Sequence, residues 1–350
     1  MASCAWAPRG LVRLEVEMSL RGVKVLVTGG AGFIGSHLVD ALVREGAVVT
    51  VLDNFRTGLR ENLSDVASDI RLVEGSILDA DQVATVMRGQ DLVSHQAAQL
   101  EITRAIEDPI EDLITNTAGT LTVLTAAVRF GVPKVVMASS AGVYGQAVEL
   151  PQHEDSHPTN PNWAYGVSKL ATEKYASIFE EAHGLKIVPL RYGIVYGTRE
   201  WFGRVLTIFL KRAFERQPLV VFGSGDQVRD FVHVSDVVEM NLRCLEDPSA
   251  DNEIFNVSTG CGTTINRLAE LVRSISNNDV EIVHEELAEG ATSTFYDRIR
   301  LPQELRELVQ SSDKARRSLG WTPKVDLEVG LEEEYEWLCE HIERWHTMTY

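Results

Sequence analysis

Three glycines, Gly29, Gly32 and Gly35, follow the apolar run Val25-Leu-Val-Thr28 at the spacing TGxxGxxG and lead into Phe33-Ile-Gly-Ser-His-Leu-Val-Asp40. A strand that turns on glycine directly into a helix presents backbone N–H groups at the helix N-terminus, where a pyrophosphate can approach without meeting a Cβ. A lone glycine pattern is a weak signal, because tight turns need glycine too. Here Asp53 ends the next β-branched run, 18 residues beyond Gly35. An acid at that place accepts hydrogen bonds from adenosine ribose hydroxyls and repels a 2′-phosphate, so NAD is favoured over NADP. Arg56 close by argues the other way.

The rest of the first half has the rhythm such a turn requires. Short β-branched runs at residues 23–28, 47–52, 70–74, 92–95, 134–138 and 186–190 alternate with longer helical patterns. Strands separated by helices predict an α/β fold with a doubly wound parallel sheet, the Rossmann arrangement, over residues 21–190. Beyond Arg191 the rhythm becomes irregular, with segments at 201–216, 220–225 and 251–264. The chain then ends in a helix on which Leu327, Leu331, Tyr335, Leu338, Ile342 and Trp345 recur at helical spacing. Residues 191–350 are therefore expected to form a smaller, mixed α/β substrate domain closing over the first, with about 228–257 returning to the Rossmann domain. Residues 1–20 are read as an N-terminal extension, expected to be disordered, because Met18 stands just before the first strand.

Charge narrows the partners. The chain carries 33 Lys and Arg against 51 Asp and Glu, a net charge of −18, which repels a nucleic-acid backbone over most of the surface. A small anion such as a sugar nucleotide is still compatible, because a few focused arginines and a helix N-terminus outweigh a distant field that salt screens. Cys4, Cys244, Cys261 and Cys339 are scattered, without a CxxC pair, and read as reduced thiols. No apolar run approaches the ~18 residues of a membrane helix, and the first 17 residues lack a clean signal-peptide core, so a cytoplasmic location is expected.

Chemistry is concentrated at Tyr165-Gly-Val-Ser-Lys169, which places a phenol and an ammonium at i and i+4 on one helical face. Upstream, Ala138-Ser-Ser-Ala-Gly-Val-Tyr-Gly145 follows a buried-looking strand, and sheet order brings Ser140 near Tyr165 at the carboxyl edge. A free tyrosine has a pKa of about 10, so it needs an adjacent cation such as Lys169 to act as a base near neutrality. His153-Glu-Asp-Ser-His157 matches H-E-x-x-H but is bracketed by Pro151 and Pro158 and has no helical period. No metal site is expected there. His37 and His95 read as helix and strand-end residues, not ligands.

With these parts in order, the chain resembles the extended short-chain dehydrogenase/reductase family, in its UDP-glucose 4-epimerase-like branch, over about residues 22–340. Further motifs carry the resemblance: His95-Gln-Ala-Ala98, Asn116-Thr-Ala-Gly-Thr-Leu, Leu190-Arg-Tyr-Gly-Ile-Val-Tyr-Gly197, Val228-Arg-Asp-Phe-Val-His-Val234 and Ser312-Asp-Lys-Ala-Arg-Arg-Ser-Leu-Gly-Trp321. The resemblance implies Tyr165 as acid and base, Lys169 as its ribose-binding partner and Ser140 as hydrogen-bond donor to the reacting oxygen. It implies an NAD site of Gly29, Gly32, Phe33, Ile34, Gly35, Asp53, Asn54, Ser76, Ile77, Ala97, Ala98, Gln99, Asn116, Ser139, Tyr165, Lys169 and Tyr192. For the substrate, a UDP-sugar by preference, it implies Ser140, Tyr165, Val205, Phe222 against the base, Arg229 on the diphosphate, Arg300, Glu304 and Leu308. A homodimer through the helices around residues 108–129 and 163–183 is implied as well.

The sequence departs from the family at telling places. Ser76 stands where an Asp usually binds the adenine amino group, Gly193-Ile194 replaces a Phe-Asn pair, and Arg300-Leu-Pro-Gln-Glu304 replaces an Arg-Pro-Gly-Glu-like segment. Dehydratases of the family resemble Thr-Asp-Glu-Val-Tyr-Gly beside the catalytic serine, and decarboxylases usually carry a Glu there; this chain has Ser140-Ala-Gly-Val-Tyr144. Epimerisation at carbon 4 through a keto sugar is thus expected ahead of 4,6-dehydration, decarboxylation or inversion at another carbon. A non-catalytic NAD-binding regulator is disfavoured because Tyr165 and Lys169 are both present. Leu308, in a segment with the spacing of a short helix over 303–310, replaces the large aromatic that excludes an N-acetyl group at carbon 2, so both plain and N-acetylated hexoses are expected to fit.

Overall fold

A computed structural model describes residues 20–155, 158–200, 203–295, 298–300 and 304–347, apart from the side chains of 345–347. The extension up to residue 19, His157, Trp201, Gln303 and the Trp345 side chain lie outside the described residues.

Six strands carry the first half: β1 (Lys24–Thr28), β2 (Val48–Asp53), β3 (Ile70–Glu74), β4 (Leu92–His95), β5 (Lys134–Ser140) and β6 (Lys186–Tyr192). In the second half follow β7 (Ile194–Tyr196), β8 (Leu219–Phe222), β9 (Val228–Arg229), β10 (Phe231–His233), β11 (Phe255–Val257), β12 (Thr263–Thr264), β13 (Ile282–Glu285) and β14 (Glu307–Leu308). The main sheet has seven parallel strands in the order β11-β6-β5-β4-β1-β2-β3. All six expected strands of the first half form, with β5 and β6 each running two residues further than their apolar runs. The seventh, β11, returns from the second half to pair Phe255 with Leu190. The helix Val234–Glu246 returns with it and packs against the first helix, Phe33–Arg44.

The strands read as continuous apolar runs because helices cover both faces. Val25, Leu26 and Val27 are all fully buried, and the Phe33–Arg44 helix lays Leu38, Val39 and Leu42 against one face. Val83, Val123 and Ala127 close the other face. Chain direction across the sheet reverses between β1 and β4, which opens a crevice at their carboxyl ends. A separate core, built on Leu206, Phe209, Val221, Phe231, Leu268 and Leu331, supports the second half.

Two local expectations need correction. Over its described residues, 304–310, the segment is not a short helix: Glu307–Leu308 forms a parallel ladder with Val228–Arg229, and Val228 N donates to Arg306 O at 2.8 Å. A tertiary ladder outweighs a weak four-residue spacing. The C-terminal periodic helix is two helices, Leu327–Glu340 and Ile342–Thr347, interrupted at His341.

Candidate active site

At the glycine turn the backbone itself shapes the site. Gly29 has φ +69°, and a Cβ there would lie 2.6 Å from Ala97 N; a Cβ on Gly35 would lie 2.1 Å from Gly29 O. The turn, the start of the Phe33–Arg44 helix and the β4 end can be this close only without side chains, which leaves a cradle of backbone for a diphosphate. Gly32 is the helix N-cap, followed by Phe33 and Ile34. Asp53 ends β2 almost fully buried, with Oδ2 accepting from Ala31 N at 2.9 Å and Oδ1 from Phe55 N at 2.8 Å. Each oxygen keeps a free lone pair for a ribose hydroxyl. Burial raises the Asp53 pKa while those two N–H groups hold it down. Arg56 is taken up by Glu111, whose carboxyl Arg56 and Arg104 together hold down to about 2. The cation that argued for NADP therefore faces an acid. These residues fit NAD.

The remaining expected cofactor residues line the same carboxyl edge. Asn54 Oδ1 accepts from Arg56 N, Ser76 Oγ accepts from Leu78 N, and Ile77 is buried. After β4, Ala97 and Ala98 lead to Gln99, whose N–H donates to Asn116 Oδ1 at 2.8 Å while Asn116 Nδ2 donates to Gln99 O at 2.9 Å. Tyr192 ends β6 with its hydroxyl held by Asn241 and Gln96. His37 and His95 serve structure: His37 Nε2 meets Thr198 O at 2.8 Å, and His95 sits between Thr28 and Thr120, with burial pushing its pKa down to about 3. Glu154, in the H-E-x-x-H stretch, accepts from Asn256 N at 2.8 Å.

Ser140 and Tyr165 come together although 25 residues separate them. Ser140 ends β5, its Oγ accepting from Gly142 N at 3.0 Å, and it hydrogen-bonds the Tyr165 phenol near the start of the Ala164–His183 helix. One turn on, Lys169 Nζ lies 5.8 Å from the Tyr165 ring centroid and donates to Ala138 O at 2.9 Å. Burial pushes the Tyr165 pKa up to about 12, while the Arg204 cation and the Ser140 hydrogen bond pull against it. Burial pulls Lys169 down to about 8, against the nearby charges of Asp112 and Glu173. Beside them, Ser139 Oγ donates to Glu173.

A cleft of about 300 Å³ runs between the halves. Val205, Phe222, Arg229, Arg300 and Glu304 line it, joined by Glu101, Ile194, Arg204, Gln227 and Arg298. Glu304 faces the expected diphosphate ligand Arg229 at 3.5 Å and the expected substrate residue Arg300 at 3.2 Å. Leu308 is buried in a small cluster with Ala141, Trp163, Ile194 and Leu305, beneath the loop after Ser140. Sequence reading missed Arg204, Arg298 and Glu101, which carry no motif, and Asp112, which only the folded structure shows to be buried behind Lys169.

The family model described as "NAD dependent epimerase/dehydratase family" matches residues 25–258. A UDP-glucose 4-epimerase of Azospirillum brasilense is 35% identical over 87% of this chain and 88% of its own. Among solved structures, the UDP-glucose 4-epimerase of Thermotoga maritima with UDP-glucose is 36% identical, with a TM-score of 0.83 over 91% of this chain and 100% of that one. The Thermus thermophilus UDP-glucose 4-epimerase in complex with NAD is 34% identical, with a TM-score of 0.81 over 91% and 100%.

Asp53→Ala removes a hydroxyl acceptor and a charge that repels a 2′-phosphate at one stroke. Titration of the apoprotein is expected to show weaker NAD binding and better relative acceptance of NADP. An unchanged preference removes Asp53 from the ribose site.

Proposed function

The chain belongs to the NAD-dependent epimerase/dehydratase family and is an NAD-dependent nucleotide-sugar epimerase, and we propose that it inverts carbon 4 of a UDP-hexose with Tyr165 as proton carrier. The observation that supports this most is Ser140, Tyr165 and Lys169 gathered at one edge, with only Ala141 and Gly142 following the serine. Dehydration needs an added acid and base beside Ser140, and neither residue supplies one; epimerisation needs only the tyrosine and the cofactor.

Bound in the glycine cradle, NAD would supply the two-electron oxidation and re-reduction of the sugar carbon. Tyr165 takes the proton from the carbon 4 hydroxyl and later returns it, while the Ser140 hydroxyl orients that oxygen. Lys169, 5.8 Å from the phenol ring centroid, supplies with Arg204 the positive charge that favours the ionised phenol. Arg229 and Arg300 exchange part of their pairing with Glu304 for the diphosphate, gripping two oxygens at once. Phe222 packs on the base, and Val205 lines the same cleft. The cofactor and substrate residues named from the resemblance are proposed in those roles. We divide the chain for function at residue 190, with β11 and its preceding helix serving the first part.

Two copies are proposed to pair through the helices at 108–129 and 163–183. Ile110, Leu113, Ile114, Val167 and Ile178 expose apolar side chains there, the kind of patch a partner covers. Light scattering is expected to show a dimer, and monomer alone would refute the pairing. Among the described residues no helix is long and apolar enough to cross a membrane, and Cys244 and Cys339 are free thiols. That chemistry suits the cytoplasm.

Tyr165→Phe keeps the ring and loses the ionisable hydroxyl. Turnover of UDP-galactose is expected to fall by at least ~10²–10⁴ with NAD still bound. Near-normal turnover takes Tyr165 out of the mechanism. Leu308→Tyr adds bulk beside Ala141 and is expected to lower kcat/KM for UDP-N-acetylhexoses much more than for plain UDP-hexoses, since a clash discriminates where a lost contact does not. Equal losses would make Leu308 a core residue only.

A further inference from the structure

One fully buried acid outside the expected machinery hydrogen-bonds two expected cofactor residues, Gln99 and Asn116, and the serine between Tyr165 and Lys169. Asp112 Oδ2 accepts from Ser168 Oγ at 2.5 Å, and Oδ1 accepts from Asn116 Nδ2 at 2.9 Å and Gln99 Nε2 at 3.3 Å. The three donors belong to three elements: the Ala164–His183 helix, the π-helical turn Leu113–Ala118, and the loop after β4. Ser168 lies between Tyr165 and Lys169 in sequence, so its bond to Asp112 fixes the rotation of the helix that carries both. Gln99 and Asn116 are bonded to each other twice, so the same carboxylate ties that helix to the cofactor edge. A π-turn is rare and concentrates at functional sites; here it leads from Asp112 to Asn116.

A carboxylate out of water is costly unless a cation answers it, and neutral hydrogen bonds alone are a weak answer. The charged groups around it divide clearly. From the Ala164–His183 helix Lys169 acts on Asp112, and the Tyr165 phenol feels the carboxylate in turn. Glu173 also acts on Lys169 but is paired with Arg191. From the second half Arg204 acts on Tyr165. From the β4 end His95 is held neutral, and on the outer side Glu111 is satisfied by Arg56 and Arg104. Burial pushes the Asp112 pKa up, and the Ser168 hydrogen bond, the Lys169 charge and the Asn116 and Gln99 hydrogen bonds pull it back; Lys169 is the cation that acts on it.

Resting on the assignment of Tyr165 and Lys169 above, we propose that Asp112 is a positioning residue for the reaction, the buried counter-charge that keeps Lys169 cationic and locks the Tyr165–Lys169 face against the cofactor edge. Removing its charge lowers the proton affinity of both groups, because a nearby anion stabilises the ammonium and destabilises the phenolate. The range of pH in which Lys169 is charged and Tyr165 is ionisable then moves to lower pH as a whole.

The test is kcat against pH with UDP-galactose for the wild type, Asp112→Asn, Asp112→Glu, Ser168→Ala and Tyr165→Phe, with bound NAD and the melting temperature measured on each. Asparagine keeps an acceptor for Asn116 and Gln99 and offers its amide to Ser168, so geometry is retained and charge is not. The alkaline limb of Asp112→Asn is expected to fall by about one pH unit, leaving the variant at about a tenth of its own maximum at the wild-type midpoint. Asp112→Glu keeps the charge and is expected to leave the limb in place, and Ser168→Ala to lower kcat without moving it. Loss of kcat in Asp112→Asn with the limb unmoved, or loss of its fold or NAD, overturns the proposal and makes Asp112 a structural residue. An active Tyr165→Phe instead sinks the assignment on which the proposal rests, whatever Asp112→Asn does.

Discussion

The bidentate pair between Arg191 and Glu173 holds the reacting groups in register. Nε donates to Oε1 at 2.9 Å and Nη2 to Oε2 at 2.8 Å, with both side chains almost wholly buried. The acid also accepts from Ser139, and Arg191 Nη1 donates to the Tyr144 hydroxyl, which donates on to Asn256. Asn256 in turn donates to the carbonyls of Gln152 and Ser311. One polar chain thus fixes the β5 end that carries Ser140, the helix that carries Tyr165 and Lys169, the β6 end and β11. Such a pair adds little net stability, but removing one partner typically costs about 3–5 kcal/mol, because the other is left buried and unpaired. Its contribution here is geometry, which proton transfer over a hydrogen-bond length requires.

The site sits in a chain whose overall charge opposes its ligand. A net charge of −18 repels a diphosphate at long range, yet four arginines, Arg204, Arg229, Arg298 and Arg300, line the cleft against two acids, Glu101 and Glu304. Local charge wins because the distant field is screened within about 8–10 Å at ordinary ionic strength, whereas a guanidinium in a cleft acts at contact. A buried acid pair holds one of these arginines from behind. Glu200 and Glu334 are both buried, Glu200 reaches Arg204 at 3.7 Å, and burial pushes the Glu200 pKa up to about 8.

Most of the fold was legible because its signals are local. Six strands announced themselves by β-branched runs between helices, and the glycine turn, Asp53 and Tyr165-xxx-Lys169 are tied to single elements with fixed spacing. What escaped depends on packing that no window of sequence contains. Glu307–Leu308 pairs with Val228–Arg229, almost 80 residues away, so its spacing alone suggested a helix. Asp112 looked like one more acid in the run Glu107-Asp-Pro-Ile-Glu-Asp112, a stretch in which Asp108 and Glu111 do face solvent or cations. Its importance comes from a π-turn and from Ser168, 56 residues on. Arg204 likewise belongs to no motif and gains its meaning only from the cleft it lines.

The chemistry reduces to one assertion: the sugar is oxidised and re-reduced at the same carbon, within one binding event. UDP-galactose carrying deuterium at carbon 4, incubated with the protein in ordinary water without added cofactor and followed by proton NMR, reads this out. Transient oxidation predicts UDP-glucose that retains the deuterium at carbon 4, with no exchange into solvent. A proton from water at that carbon, or a product that has lost water, contradicts it.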